Sequence, residues 1–219
     1  MSYLLQSVDG IVFDFNGTLF DDERENRESW DRISLEIRGK ALSDEEFSSY
    51  NGRTDRDMVR FFLPGCSDSE ADRWSERKEE LYKALCIERG LTLRDGSYEI
   101  FSKARDMGIR IAIASSAPRM NMDWYIPRFR LLDYFGRSAI IAGRYDIPSK
   151  PDGAIFRLAL DAIGVSGCHA AAFEDSRAGV LSVMDAGIRT VMRMRNPEAE
   201  PLDIPGIIEI RSFSEISLQ

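Results

Sequence analysis

This 219-residue chain predicts an α/β fold, a doubly wound parallel sheet interrupted by an all-helical insertion. Three observations carry the prediction. The apolar run Ile11-Val12-Phe13 ends abruptly in Asp14 and a polar turn, the pattern of a central strand buried on both faces. Residues 21–90 then show helical periodicity and repeated capping signals. From residue 91 onward helices and short apolar strands alternate, which calls for a parallel sheet covered on both sides. Residues 1–20 and 91–219 therefore form the core domain, and residues 21–90 form an inserted helical domain.

In the insertion, Trp30, Ile33 and Ile37 recur at helical spacing and predict a helix over 23–38. Ser43 with Glu46, Thr54 with Asp57, and Ser67 with Glu70 each pair an N-cap residue with an acid three positions on, marking three more helix starts. The last runs to Arg89 with Gly90 as its stop, and Trp74, Leu81 and Leu85 supply its apolar stripe. Asn51-Gly52-Arg53-Thr54 is a polar turn between helices. Beyond residue 91 the pattern predicts helices near 98–107, 120–130, 153–163 and 177–185. Strands are expected near 109–114, 139–142, 170–173 and 190–192, with an edge strand at 207–210 after a proline-broken stretch.

Composition bounds the function. With 43% hydrophobic and 30% charged residues the chain is globular rather than disordered, and no apolar run is long enough to span a bilayer. A net charge of −8 argues against nucleic acid as a partner, although a bound cation can reverse the potential within one pocket. Residues 1–10 lack the basic flank and apolar block of a secretory signal. Cys66, Cys86 and Cys168 form no Cys-x-x-Cys pair, so neither a disulfide nor a zinc site is expected. A cytoplasmic protein without membrane or nucleic-acid partners is the expectation, monomeric or else dimeric.

Four stretches carry chemistry. Asp14 stands at a strand's carboxyl end, where open α/β sheets place ligands. Gly17 permits a tight turn whose backbone N–H groups can face an anion, and Thr18 follows with a hydroxyl. Ser115-Ser116-Ala117 leaves the strand near 109–114 with a hydroxyl and loop amides suited to phosphate. Lys150-Pro151 opens a helix with Pro151 at its first position, leaving Lys150 free to reach the cleft. Glu174-Asp175 ends another strand with paired acids. Alone, a Lys-Pro pair is usually a surface helix start and a Glu-Asp pair is usually a solvated cap; the convergence of all four stretches on one sheet edge is what singles them out.

In the order and spacing of these residues the chain resembles the haloacid dehalogenase superfamily. The resemblance rests on Asp14-Phe15-Asn16-Gly17-Thr18, on Ser115 after an apolar strand, on Lys150-Pro151, and on Glu174-Asp175-Ser176-Arg177-Ala178-Gly179. Within it, the similarity is to the branch with a helical cap that includes β-phosphoglucomutase and phosphoglycolate phosphatase. It implies a Rossmann-like core, with residues 21–90 as a cap that closes over substrate. It implies that Asp14 is a nucleophile forming an aspartyl phosphate, and that Ser115 and Lys150 hold the transferring phosphoryl group. Asp14, Asp175 and the backbone carbonyl of Asn16 would bind Mg²⁺, with Glu174 acting through a water on the metal.

The family pattern has an aspartate where this chain has Asn16, and that aspartate protonates the leaving oxygen and later activates water. An amide donates hydrogen bonds but does not shuttle a proton, and general acid–base catalysis contributes about 10²–10⁴ in rate. The expected function is a Mg²⁺-dependent phosphatase of a small phosphorylated metabolite, weakened at Asn16. The alternatives are a catalytically impaired phosphate-ester binder or regulator and, behind it, a mutase. Arg53 and Arg56 either face the cleft, to bind a carboxylate or distal phosphate, or sit at a solvated helix start. His169 reads as an ordinary loop histidine.

Overall fold

The computed structural model describes residues 3–49, 54–144, 146–196 and 199–219. The chain divides into two compact units, Met1–Asp21 with Thr92–Gln219, and Asp22–Leu91. Among the described residues no helix is long and apolar enough to cross a membrane.

In the larger unit, β1 (Tyr3–Leu5) pairs in parallel with β8 (Ile216–Leu218), a small ribbon that three-residue segments do not announce in sequence. The main sheet contains β2 (Gly10–Phe13), β3 (Arg110–Pro118), β4 (Ile140–Gly143), β5 (Ala170–Glu174), β6 (Thr190–Met194) and β7 (Ile207–Ile210). Its order is β4-β3-β2-β5-β6-β7, and every pairing is parallel. The chain thus builds outward from β2 on one side and then crosses to β5 on the other. That reversal puts the carboxyl ends of β2 and β5 at the topological switch point, where the two crossovers part and leave a crevice.

Both faces of the sheet are covered, so β2 is buried at every position. On one face Val12, Ala112, Ala114 and Ala172 pack against Ile155, Phe156, Val180 and Val183, carried by α7 (Ala154–Ile163) and α8 (Arg177–Asp185). The small strand side chains let these helices approach closely. On the other face Phe13 lies parallel to Phe173 with ring centroids 5.2 Å apart, and Phe101 meets Phe13 edge-on at 5.3 Å. Phe101 comes from α5 (Ser97–Asp106), and α6 (Arg119–Arg128) adds Tyr125, which is buried. These rings lie one residue below Asp14 and Glu174.

One expectation is corrected here. Pro151 is not the first helical residue, because α7 begins at Ala154. The amide of Asp152 donates to the carbonyl of Ser149 (3.1 Å), closing a turn, and the carboxylate of Asp152 accepts from the Ala154 amide at 2.8 Å. Asp152 thus satisfies one of the N-terminal donors of α7. Lys150 is carried by that turn.

In the smaller unit, α1 (Glu23–Arg38), α2 (Asp44–Ser49), α3 (Asp55–Phe62) and α4 (Asp68–Glu88) follow one another. Ser43, Thr54 and Ser67 each accept from the backbone amide three residues on, as their spacing predicts. Trp30, Ile33, Met58, Val59, Phe62 and Ala71 form the core of this unit. Its polar interior was not legible in the sequence: the buried Lys78 ammonium pairs with Glu79 at 2.8 Å and lies over the rings of Trp30 and Tyr82. The Tyr82 hydroxyl in turn donates to Asp22 at 2.5 Å. Asn51, Gly52 and Arg53 lie outside the described residues.

Candidate active site

The amide of Asp14 still donates to the carbonyl of Phe173 at 2.9 Å, which fixes its main chain against β5 as the strand ends. Its side chain is only 7% exposed. Lys150 reaches across with its Nζ 2.7 Å from Asp14 Oδ1 and 2.6 Å from Glu174 Oε1, bridging the ends of adjacent strands. Asp175 completes the group, and the three carboxylates each offer an oxygen within 4.8 Å of the others. One ammonium therefore faces three acids.

The electrostatic consequence is visible in each group. Burial, with repulsion from Glu174, pushes the Asp14 carboxyl up to about 7 even though Lys150 pulls the other way. Burial, Glu174 and Asp14 together hold Asp175 well above the usual carboxylate range. Burial opposes charge on Lys150, but Asp14 and Glu174 outweigh it and raise its affinity for the proton. Asp14 Oδ2 is fully buried and has no hydrogen-bond partner among the described residues. A buried, unpaired carboxylate oxygen beside two further acids is a cost that a divalent cation removes, and an all-oxygen donor set with few carboxylates suits Mg²⁺. The residues present fit the metal.

The loop after β2 is shaped around these acids. Gly17 has φ +80°, and a Cβ there would lie 2.3 Å from Asp175 Oδ2. Thr18 is buried and its hydroxyl points to Asp175 Oδ1 at 3.3 Å, while the Gly17 carbonyl accepts from Arg94 at 3.1 Å. Asn16 is half-buried and its Nδ2 donates to the Tyr125 hydroxyl at 3.0 Å. We expect Gly17→Ala to cost about 1–2 kcal/mol from its left-handed backbone alone. It should also displace Asp175 and weaken Mg²⁺ binding; urea denaturation and metal titration check both.

Glu174 is held differently from the other acids. Its Oε2 accepts from the Ser176 amide at 2.8 Å and the Ser176 hydroxyl at 3.1 Å, so both of its oxygens are engaged. A Cβ at position 179 would lie 1.7 Å from Glu174 Oε1. Gly179 is thus the floor on which this carboxylate rests.

Ser115 lies two residues beyond the Phe13–Ile113 pair, within β3. The strand does not close at 114 as expected but runs on through Ser116 and Ala117 to Pro118 after a register shift, because Pro118 still pairs with Gly143. The Ser115 hydroxyl accepts from the Ala117 amide at 3.1 Å. It is buried, while Ser116 is exposed and Ala117 half-buried. The structure thus gathers Asp14, Lys150, Glu174 and Asp175 into direct contact or near it, and sets Ser115 on the neighbouring strand β3. Arg56 belongs to the helical unit, where its guanidinium grips Asp72 through two bonds at 2.5 and 2.7 Å. Arg53 is outside the described residues. His169 precedes β5, at the opposite end of that strand from Glu174.

Gly179 stood in the motif without a stated role, and three supporting residues were not anticipated from the sequence: Tyr125, Arg94 and Arg193, whose Nε donates to the Asp175 carbonyl at 2.9 Å while its Nη1 pairs with Glu209 at 2.9 Å. A lone arginine inside the apolar strand Thr190-Val191-Met192-Arg193-Met194 was the available signal, since a buried charge demands a partner. Tyr125 and Arg94 carried none.

An open parallel sheet that gathers acids and a lysine at its switch point defines a Rossmann-like α/β enzyme. The chain belongs to the haloacid dehalogenase-like hydrolases, whose family model matches residues 8–187. It is 26% identical over 192 residues to validoxylamine A 7'-phosphate phosphatase of Streptomyces hygroscopicus subsp. limoneus, covering 87% of this chain and 88% of that one. A phosphorylated carbohydrates phosphatase of Thermotoga maritima is 24% identical over 189 residues, 84% of each chain. The crystal structure of a HAD hydrolase, family IA, variant 3, from Entamoeba histolytica superposes with a TM-score of 0.87 at 31% identity over 95% of both chains.

Proposed function

We propose that this protein is a Mg²⁺-dependent phosphatase of a small phosphorylated metabolite that works through an aspartyl phosphate on Asp14. The observation that carries this reading is the buried Asp14 carboxylate, with one oxygen held by Lys150 and the other unpaired among further acids. Two relatives named as phosphatases, one for phosphorylated carbohydrates, support a sugar-like phosphate ester as substrate.

In the proposed reaction an Asp14 oxygen attacks phosphorus and the ester oxygen leaves as an alcohol after gaining a proton. Water then attacks the aspartyl phosphate, releasing inorganic phosphate and restoring Asp14. Lys150 and Ser115 position the equatorial oxygens and offset their charge, which is most of what phosphoryl transfer asks of a protein. Asp14, Asp175 and the Asn16 carbonyl would hold Mg²⁺, with Glu174 one step removed because its own oxygens are already engaged. When bound, the metal supplies neutralisation of the anions that must meet. Asn16 donates a hydrogen bond near the leaving oxygen but no proton, so turnover is slow.

Asn16 also favours a second reading, a phosphate-ester binder that hydrolyses little. Phosphate release from a panel of phosphate esters, with and without Mg²⁺, distinguishes the two when paired with calorimetric binding of the same esters. Asp175→Asn should abolish release, because one of two direct carboxylate ligands is lost. Full activity in that variant, or in excess chelator, overturns the metal assignment.

A further inference from the structure

We propose that Asn16 is a hydrolytic modification site: deamidation of the Asn16-Gly17 pair converts the amide to a carboxylate, and the Tyr125 hydroxyl restrains that conversion in the folded protein. The sequence puts a side-chain amide directly before a residue without a Cβ, so the following backbone nitrogen meets little steric resistance in approaching the side-chain carbon. Gly17 N forms a bond to Asn16 Cγ, the Cγ–Nδ2 bond breaks, and ammonia leaves with the proton that Gly17 N gives up. Water then opens the cyclic imide. Opening at Cγ gives aspartate, and opening at the main-chain carbonyl gives isoaspartate, whose backbone is one carbon longer. One water is consumed and one ammonia released, with no other reactant.

Two contacts oppose the first bond. Asn16 Nδ2 donates to Tyr125 Oη at 3.0 Å, and the Gly17 amide donates to the Phe20 carbonyl at 2.7 Å. Both groups that must meet are therefore held by other partners. Tyr125 is a rigid anchor: it is 1% exposed, and its ring centroid lies 4.6 Å from that of Phe15 and 5.6 Å from that of Phe20. The ring cannot follow the amide if it swings. Asn16 itself is half-buried, so water reaches the imide once it forms. The aspartyl product places a carboxylate where the family pattern puts its proton-transfer group, so conversion switches hydrolysis on; this second half rests on the phosphatase reading above.

Folded wild type, folded Tyr125→Phe and urea-unfolded wild type are incubated side by side, and the peptide spanning Asn16 is followed by mass analysis that separates aspartate from isoaspartate. Tyr125→Phe deletes one hydroxyl and keeps the packed ring. Conversion at Asn16 should be fastest in the unfolded chain and several-fold faster in folded Tyr125→Phe than in folded wild type. Asn51-Gly52, the other Asn-Gly pair in the sequence, serves as an internal clock whose rate should not change with the substitution. Equal rates at Asn16 in the two folded proteins overturn the proposed restraint, as does equal acceleration at both Asn-Gly pairs. Phosphate release should rise in proportion to the aspartate fraction at position 16. If encoded Asn16→Asp hydrolyses esters and converted wild type does not, the switch is overturned. If Asn16→Asp is itself inactive, the phosphatase reading fails while the mass result stands.

Discussion

Asn16→Asp is expected to raise phosphatase turnover by about 10² or more, the amount a positioned general acid–base contributes. Mg²⁺ affinity should hardly change, because the ligand supplied at this position is the backbone carbonyl. The side chain is isosteric with the amide, and the Tyr125 hydroxyl that now accepts from Nδ2 can rotate to donate to a carboxylate oxygen. The measurement is steady-state phosphate release from the best substrate of the panel, using fresh protein verified by mass at Asn16. A gain in kcat with little change in KM is the expected signature, since the proton moves only in the transition state. Rapid turnover in unmodified wild type, with no gain from Asn16→Asp, would mean that another group donates the proton.

Asp14→Asn should remove what hydrolysis there is, lowering turnover by at least about 10⁴, since no covalent intermediate can form without the attacking carboxylate. The protein should still fold. Asp14 is flanked by stacked rings and a continuous ladder of parallel pairings that an amide at this position leaves intact. Lys150 keeps its bond to Glu174 in the variant, so the bridge is weakened rather than broken. Rapid-quench trapping of a phosphorylated enzyme in the Asn16→Asp background, and its absence when Asp14→Asn is added, tests the covalent role directly. Phosphoenzyme formed in the doubly substituted protein would move the nucleophile elsewhere.

The doubly wound sheet was legible because most of its main strands are short apolar runs closed by turn signals and alternate with helical segments. The helical unit was legible through its caps: Ser43, Thr54 and Ser67 behave as local spacing demands, since a cap depends on four consecutive residues and little else. The ribbon of β1 and β8 was not, because its pairing joins Tyr3 to Ile216 and neither segment is long enough to show a period. The start of α7 was misread because Pro151 fits a first helical position as well as it fits the turn before one. At the site, the chemistry-bearing residues were readable as polar groups that end apolar strands. Their supports were not: Arg94 on the Gly17 carbonyl, Arg193 on the Asp175 carbonyl and Tyr125 on Asn16 act from distant points in the sequence. Gly179 closes the acid-bearing motif, but the void it leaves beneath Glu174 has no sequence pattern of its own.

The stacked pair Phe13 and Phe173 immediately precedes the acids at 14 and 174 on neighbouring strands, whose register is fixed by main-chain hydrogen bonds. The spacing between Asp14 and Glu174 is therefore inherited from the backbone, like marks on a ruler, and does not depend on their mutual repulsion. Replacing either acid by its amide alters charge at constant main-chain separation, while the side-chain bonds to Lys150 and Ser176 change with it. Amide scanning at this centre consequently changes charge and side-chain bonding while the backbone frame stays fixed, which sites built on flexible loops do not provide.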